Sequence, residues 1–167
     1  MYWFPWLKRE LKGMGFEVEL PSMPSPLSPK IEEWVPHLVK VVGKPDQNTF
    51  FIGHSIGCQA ILRYLETLST GERVGGALFL APFLELPDIE KKILKPWLDT
   101  PIQFEKIKEH LPGSIAVFSD DDPLVPIENK NLFEEKLGSK IEVVHKFNHF
   151  VTYLELPIIL KELAPYL

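Results

Sequence analysis

From residue 48 onward the sequence repeats one pattern: a short apolar run, a corner, then a helix-periodic segment. NTFFIG (48–53), GALFLAPF (76–83), GSIAVFSD (113–120) and KIEVVHKF (140–147) read as strands. SIGCQAILRYLETL (55–68) and PIENKNLFEEKLG (126–138), stopped by Gly138, read as helices, as does TYLELPIILKELAPYL (152–167), interrupted at Pro157. Residues 85–111 read as a mostly helical excursion. Strands that alternate with helices call for a mainly parallel sheet with helices on both faces, an α/β architecture. Chemistry then belongs at the corners past the carboxyl ends of the strands.

The first third is less regular. WFPWLKRELKGMG (3–15) predicts an amphipathic helix ended by Gly13 or Gly15, and FEVEL (16–20) a short strand. PSMPSPLSP (21–29) reads as a rigid loop. IEEWVPHLVKVVG (31–43) places Ile31, Trp34, Val35, Leu38 and Val42 near one helix face, with Pro36 early in it. At 167 residues the chain is expected to form one domain, 1–167, around one core.

Charge and composition exclude several classes of function. The net charge of −5 and the lack of a basic run argue against a nucleic-acid surface. No apolar stretch reaches the roughly 18 residues of a membrane span, and MYWFPWLKREL has no basic start before an apolar core, so no secretory signal is expected. One cysteine, Cys58, excludes an internal disulfide and favours a cytoplasmic location. The charged stretches EKIKEH (105–110) and ENKNLFEEKLGSK (128–140) read as solvated faces.

One corner stands out. Gly53-His54-Ser55-Ile56-Gly57 fits G-x-S-x-G, in which a Ser sits on a strained turn between strand and helix. The flanking glycines are expected to keep side chains clear of the neighbouring strand and helix, and the helix N-terminus favours developing negative charge. Such a match arises by chance in roughly 5% of chains this long. The strand before it and the helix after it therefore carry the inference, against a tight turn with a capping Ser.

A nucleophilic Ser needs a base, and the base an orienting carboxylate; in this arrangement they follow in the order Ser, acid, His. SDDDPLVP (119–126) and HKFNHF (145–150) each follow a strand, in that order. Spacing does not separate Asp120, Asp121 and Asp122, although Pro123 biases Asp122 to extended geometry. Two of the three are expected to be a solvated acidic turn. His149 lies in the loop and is the candidate base, whereas His145 is expected to point along the sheet. His54 is expected to pack beside the nucleophile, with a place in the substrate pocket, and His37 and His110 to be surface or half-buried helix residues. Cys58 falls a turn into the helix, where a buried thiol is inert. Trp3 and Trp6 read as core. Trp97 and Phe104, in the excursion, are candidate pocket-wall residues.

WFPWLKREL, SMP (22–24), GHSIGCQAILRYLE, SDDDPLVP and HKFNHF together resemble a small serine-hydrolase family of the α/β-hydrolase fold, which includes retinoblastoma-binding protein 9 and the bacterial YdeN proteins. The resemblance covers nearly the whole chain. It implies Ser55 as nucleophile, Asp122 as acid and His149 as base. It also implies a metal-free and cofactor-free hydrolase acting on ester-like or amide-like bonds of a small acyl substrate. Family members begin with a strand and a glycine-containing loop ahead of the segment matching WFPWL, and this sequence starts at MYWFPWL. That strand would run in mid-sheet, and its loop would give one of two oxyanion-hole N–H groups, the other being that of Ile56. One such donor is worth about 2.7–4 kcal/mol. The expectation is a misassigned start and a longer natural protein. The alternatives are a truncation that closes the gap, or a catalytically weak copy that binds a ligand or protein partner through the same cleft.

Overall fold

The computed structural model describes residues 3–88, 92 and 94–163. Residues 89–91 and 93 of the expected excursion, and 164–167 of the expected last helix, lie outside the described residues. The chain divides into two compact units: Met1–Ser22 with Phe150–Leu167, and Met23–His149.

In the first unit, α1 spans Phe4–Gly13 and α7 spans Pro157–Leu163. Pro5 opens α1, where its missing N–H costs nothing. Trp6, Leu7 and Leu11 form the buried stripe of α1. Gly13 is its last residue, and Gly15 takes a φ of +94° just beyond. Trp3 is buried and donates from Nε1 to the carbonyl of Phe150 at 2.8 Å. Residues 16–20 are not a strand. Their alternation leaves Phe16 and Val18 only half-buried and Leu20 exposed, and no strand among the described residues pairs with them. Without a partner for its backbone groups an alternating run does not become a strand.

The larger unit holds the sheet. Helix α2 (Ile31–Val42) buries Trp34, Val35 and Leu38, runs through the exposed Pro36, and ends at Gly43 with φ +64°. Then come β1 (Phe50–His54), α3 (Ile56–Leu65), β2 (Gly76–Leu80), α4 (Lys95–Asp99), α5 (Phe104–His110), β3 (Ser114–Ser119), α6 (Asn129–Leu137) and β4 (Lys140–Val144). The strand order is β1-β2-β3-β4 and every pairing is parallel. Each crossover steps the same way. Right-handed connections therefore lay α3, α5 and α6 side by side on one face of the sheet, with α5 touching both neighbours.

Strands β2 and β3 are buried along their whole length, as their unbroken apolar runs demand. Phe133 of α6 meets Phe79 of β2 and Phe118 of β3 at ring-centroid separations of 5.7 and 6.2 Å. Loop 81–85, past β2, is held from two sides. Gln59 Nε2 donates to the carbonyl of Phe83 at 2.6 Å, and buried Asn129 accepts from the amides of Leu84 and Glu85. The excursion is tied down by Arg63, whose guanidinium donates to the carbonyls of Trp97, Thr100 and Pro101.

Candidate active site

The corner after β1 has the geometry that the motif predicts. Ser55 stands between β1 and α3 with φ +53° and ψ −123°, a conformation unfavourable for any residue with a Cβ. Two bonds hold it there. Its amide donates to the carbonyl of Leu80 on β2 at 2.9 Å, and its own carbonyl accepts from the amide of Cys58 at 2.9 Å. Gly53 makes the corner sterically feasible. A Cβ there would lie 2.7 Å from Ile61 Cδ1 and 3.1 Å from both Cα and N of Cys58. Gly57 differs from expectation: a Cβ there would meet nothing within 4 Å, so it gives no clearance to strand or helix. The Ser55 hydroxyl is on a half-buried residue and forms no hydrogen bond among the described residues. The Ile56 amide, first in α3, has no helical acceptor by position.

The second corner follows β3, and the third follows β4 beside it. Here His149 Nδ1 and Asp122 Oδ2 are 2.8 Å apart, with side-chain exposures of 9% and 2%. A carboxylate only accepts, so Nδ1 carries the hydrogen and the neutral ring keeps its lone pair on Nε2. Asp122 Oδ1 also accepts from the amides of Leu124 and Val125, at 2.9 and 3.0 Å. Burial pushes the Asp122 carboxyl up. The hydrogen bonds from His149 and the two amides outweigh burial and leave it below its ordinary value.

His54 joins the first corner to the third. Its Nε2 is 2.8 Å from the carbonyl of His149, and the two rings meet edge to face at 4.8 Å. A carbonyl only accepts, so Nε2 of His54 is the donor. Burial, and then the adjacent His149, push the His54 pKa down to about 4. It is therefore neutral near pH 7.

Asp120 and Asp121 form an exposed acidic turn, as expected, and their carboxylates also bind the loop that carries His149. Asp120 Oδ1 accepts from the Lys146 amide at 2.9 Å, and Oδ2 pairs with His145 Nδ1 at 2.5 Å. The His145 bond, followed by the Lys146 amide, lowers the Asp120 carboxyl. Asp121 Oδ1 accepts from the Asn148 amide at 2.8 Å and from the Ser119 hydroxyl at 2.7 Å. Ser119 Oγ accepts in turn from the Phe147 amide at 2.9 Å. The Ser at the end of the strand and two further carboxylates were missed from the sequence. The signal available was three acceptors in a row facing a histidine loop of similar length.

Other candidates fall elsewhere. Trp97 is buried, with Nε1 donating to the carbonyl of Pro29 at 2.9 Å and its ring 5.8 Å from that of Trp34. Its carbonyl is bound to Arg63, eight residues along α3 from Ser55 and so about 12 Å down the helix. Phe104 is half-buried and lines a shallow depression with Ile102, Lys108 and Glu135. Neither has a ring contact or side-chain hydrogen bond to Ser55 among the described residues. Cys58 is fully buried, and burial pushes its thiol far up, so it is no nucleophile. His110 is buried rather than half-buried, with Nδ1 2.8 Å from the carbonyl of Glu72.

A parallel sheet with a Ser corner after β1, and an Asp and a His in the loops after β3 and β4, has the architecture of an α/β hydrolase. Residues 1–160 match the family described as serine hydrolase, and the chain belongs to that family. It is 30% identical over 169 residues to YdeN of Bacillus subtilis, a match covering 99% of this chain and 88% of that protein. It is 28% identical to the serine hydrolase RBBP9 of Rattus norvegicus, over 89% of this chain and 77% of that one. The crystal structure of B. subtilis YdeN superposes with a TM-score of 0.91 at 30% identity, covering 98% of this chain and 89% of that chain. A carboxylesterase structure from the thaumarchaeon Nitrososphaera gargenis shares the fold at 12% identity and a TM-score of 0.70, covering 98% and 84%. The chain is an enzyme, a serine hydrolase. Among the described residues no helix is long and apolar enough to cross a membrane.

Proposed function

We propose that residues 1–167 act as one hydrolase domain that cleaves ester-like, and secondarily amide-like, bonds of small acyl substrates in the cytoplasm. The Asp122–His149 pair, joined through His54 to the strand-to-helix corner that holds Ser55 at positive φ, supports this reading. Ser55 Oγ attacks the acyl carbon while His149 Nε2 takes its proton. The oxyanion accepts a hydrogen bond from the Ile56 amide at the start of α3. Collapse breaks the bond to the leaving group, which departs with the proton from His149. Water then adds to the acyl-Ser55 ester with His149 again as base, releasing the acid and restoring the hydroxyl. Asp122 fixes the tautomer throughout and stabilises the imidazolium. The Ser55–His149 hydrogen bond forms in the substrate complex, where such contacts tighten.

Intact-mass analysis after treatment with a fluorophosphonate tests this. One adduct, lost in Ser55→Ala, is expected. A folded chain that takes no adduct would replace this reading with ligand binding through the same cleft.

A further inference from the structure

Three consecutive amides of the loop that carries His149, and the His149 ring, are bound by the corner after β3. The amides of Lys146, Phe147 and Asn148 go to Asp120 Oδ1, Ser119 Oγ and Asp121 Oδ1, and the His149 ring goes to Asp122. The loop could not hold this course unaided. Lys146 and Asn148 have φ of +59° and +49°, each costing roughly 1–2 kcal/mol for a residue with a Cβ. Such conformations persist where the surroundings over-determine them. Here three neighbouring amides are fixed in turn, and the His149 carbonyl is held by His54.

Within that cradle Asp121 holds the critical node. One of its oxygens receives both the Asn148 amide, next to His149, and the Ser119 hydroxyl, which orients Ser119 to take the Phe147 amide. Ser119 is buried, so its hydroxyl has little water to turn to. We infer that Asp121, acting with Ser119, is a positioning residue: it sets the backbone of 147–148 so that the His149 ring meets Asp122 and faces Ser55. It touches no reacting atom. The inference rests on His149 being the base, as proposed above.

The requirement is for an oxygen acceptor at one place, which Asn can supply and Ala cannot. Asp121→Ala is therefore expected to lower kcat on p-nitrophenyl acetate, and the rate of fluorophosphonate labelling, by on the order of 10- to 100-fold. KM should stay within about twofold. Asp121→Asn is expected to recover most of the loss. The downfield proton resonance of His149 Nδ1–H, seen by NMR without any substrate, should persist in Asp121→Asn and broaden or vanish in Asp121→Ala. Ser119→Ala removes only the Phe147 acceptor and should fall between wild type and Asp121→Ala; it serves if Asp121→Ala does not fold. Wild-type kcat, labelling rate and resonance in these variants would overturn the inference. So would equal losses in Asp121→Asn and Asp121→Ala, which would assign the effect to charge. If wild type takes no label at Ser55 while Asp121→Ala still loses the resonance, the nucleophile reading fails and the positioning role stands.

Discussion

The Nε2 of His54 donates to the backbone carbonyl of His149 at 2.8 Å across 95 residues of sequence. The residue before the candidate nucleophile thus holds the main chain of the candidate base. Either protonation state of His54 can donate this bond, and burial brings its pKa down to about 4.

Acid stability should report on that group. Above pH 6.5 His54 is neutral in both folded and unfolded chains. Between pH 6.5 and about 4 only the unfolded chain takes up the proton, so stability falls as pH drops through that window. The slope for one such proton is about 1.4 kcal/mol per pH unit. His54→Gln keeps an amide donor and does not titrate. From pH 7 to pH 4.5 the variant is expected to lose about 2–3 kcal/mol less than wild type in urea unfolding. Parallel curves would remove His54 as the acid-sensitive group.

Asp122→Asn should abolish most turnover while leaving the corner folded. The amide offers Nδ1 of His149 a donor in place of an acceptor and favours the wrong tautomer. A loss of about 10⁴ in kcat is expected from the same change in Ser-His-Asp enzymes. The Asp122 carboxyl lies below its ordinary value of 3.8, so it stays ionised as pH falls to that value, and its contribution to stability is lost only as pH drops through its lower folded value. The acid limb of a wild-type pH–rate profile above pH 5 should therefore belong to another group. Steady-state kinetics with a chromogenic ester, across pH, checks both statements.

The two glycines of the motif should respond with opposite sign. Gly53→Ala places a Cβ against backbone atoms of Cys58 as well as the tip of Ile61 and should cost about 1–3 kcal/mol. Gly57→Ala enters open space in the first turn of a helix and should stabilise by about 0.4–1 kcal/mol. Thermal unfolding of the pair measures the contrast. Equal destabilisation would mean that Gly57 has a neighbour not accounted for.

Trp97→Ala should change stability and not selectivity. The indole is buried, hydrogen-bonded to Pro29 and set edge-on to Trp34. Its removal is expected to cost about 3–5 kcal/mol. The ratio of kcat/KM between short and long acyl esters should stay the same. A changed ratio would return Trp97 to the pocket wall.

The parallel architecture was legible because β2 and β3 are apolar without interruption and each is bounded by a corner. The element order from 48 to 144 follows directly from that pattern. Residues 16–20 misled, since alternation records which face a strand would bury and says nothing about whether a partner strand exists. Ser55 and the nearby Gly53 were legible because close approach of strand and helix leaves room for few residue types. The exposed turn of Asp120 and Asp121 was legible too, but the loop amides they bind were not. Whether a carboxylate faces water or a neighbouring amide depends on where another loop passes, and no spacing within 119–126 records the path of 145–149. For the same reason the sequence leaves Trp97 open: an aromatic after the second strand of this sheet can face the cleft or the core, and here Arg63, near the end of α3, binds the Trp97 carbonyl.

The pairing of 119–122 with 146–149 has a consequence for how this chain can vary. The three aspartates meet Lys146, Asn148 and His149 in order, while Ser119 takes the Phe147 amide out of turn. Losing or gaining one residue between Ser119 and Asp122 would displace the later contacts at once, where a substitution displaces one. The Pro-rich stretch 21–29 is held differently, through the Pro24 and Pro29 carbonyls that receive the indoles of Trp34 and Trp97 and through Ser25, which bonds to the Glu33 side chain. Insertions and deletions should therefore be better tolerated in that stretch than at the acidic corner, where they should be lethal to function. There the length of the segment is held more tightly than its composition.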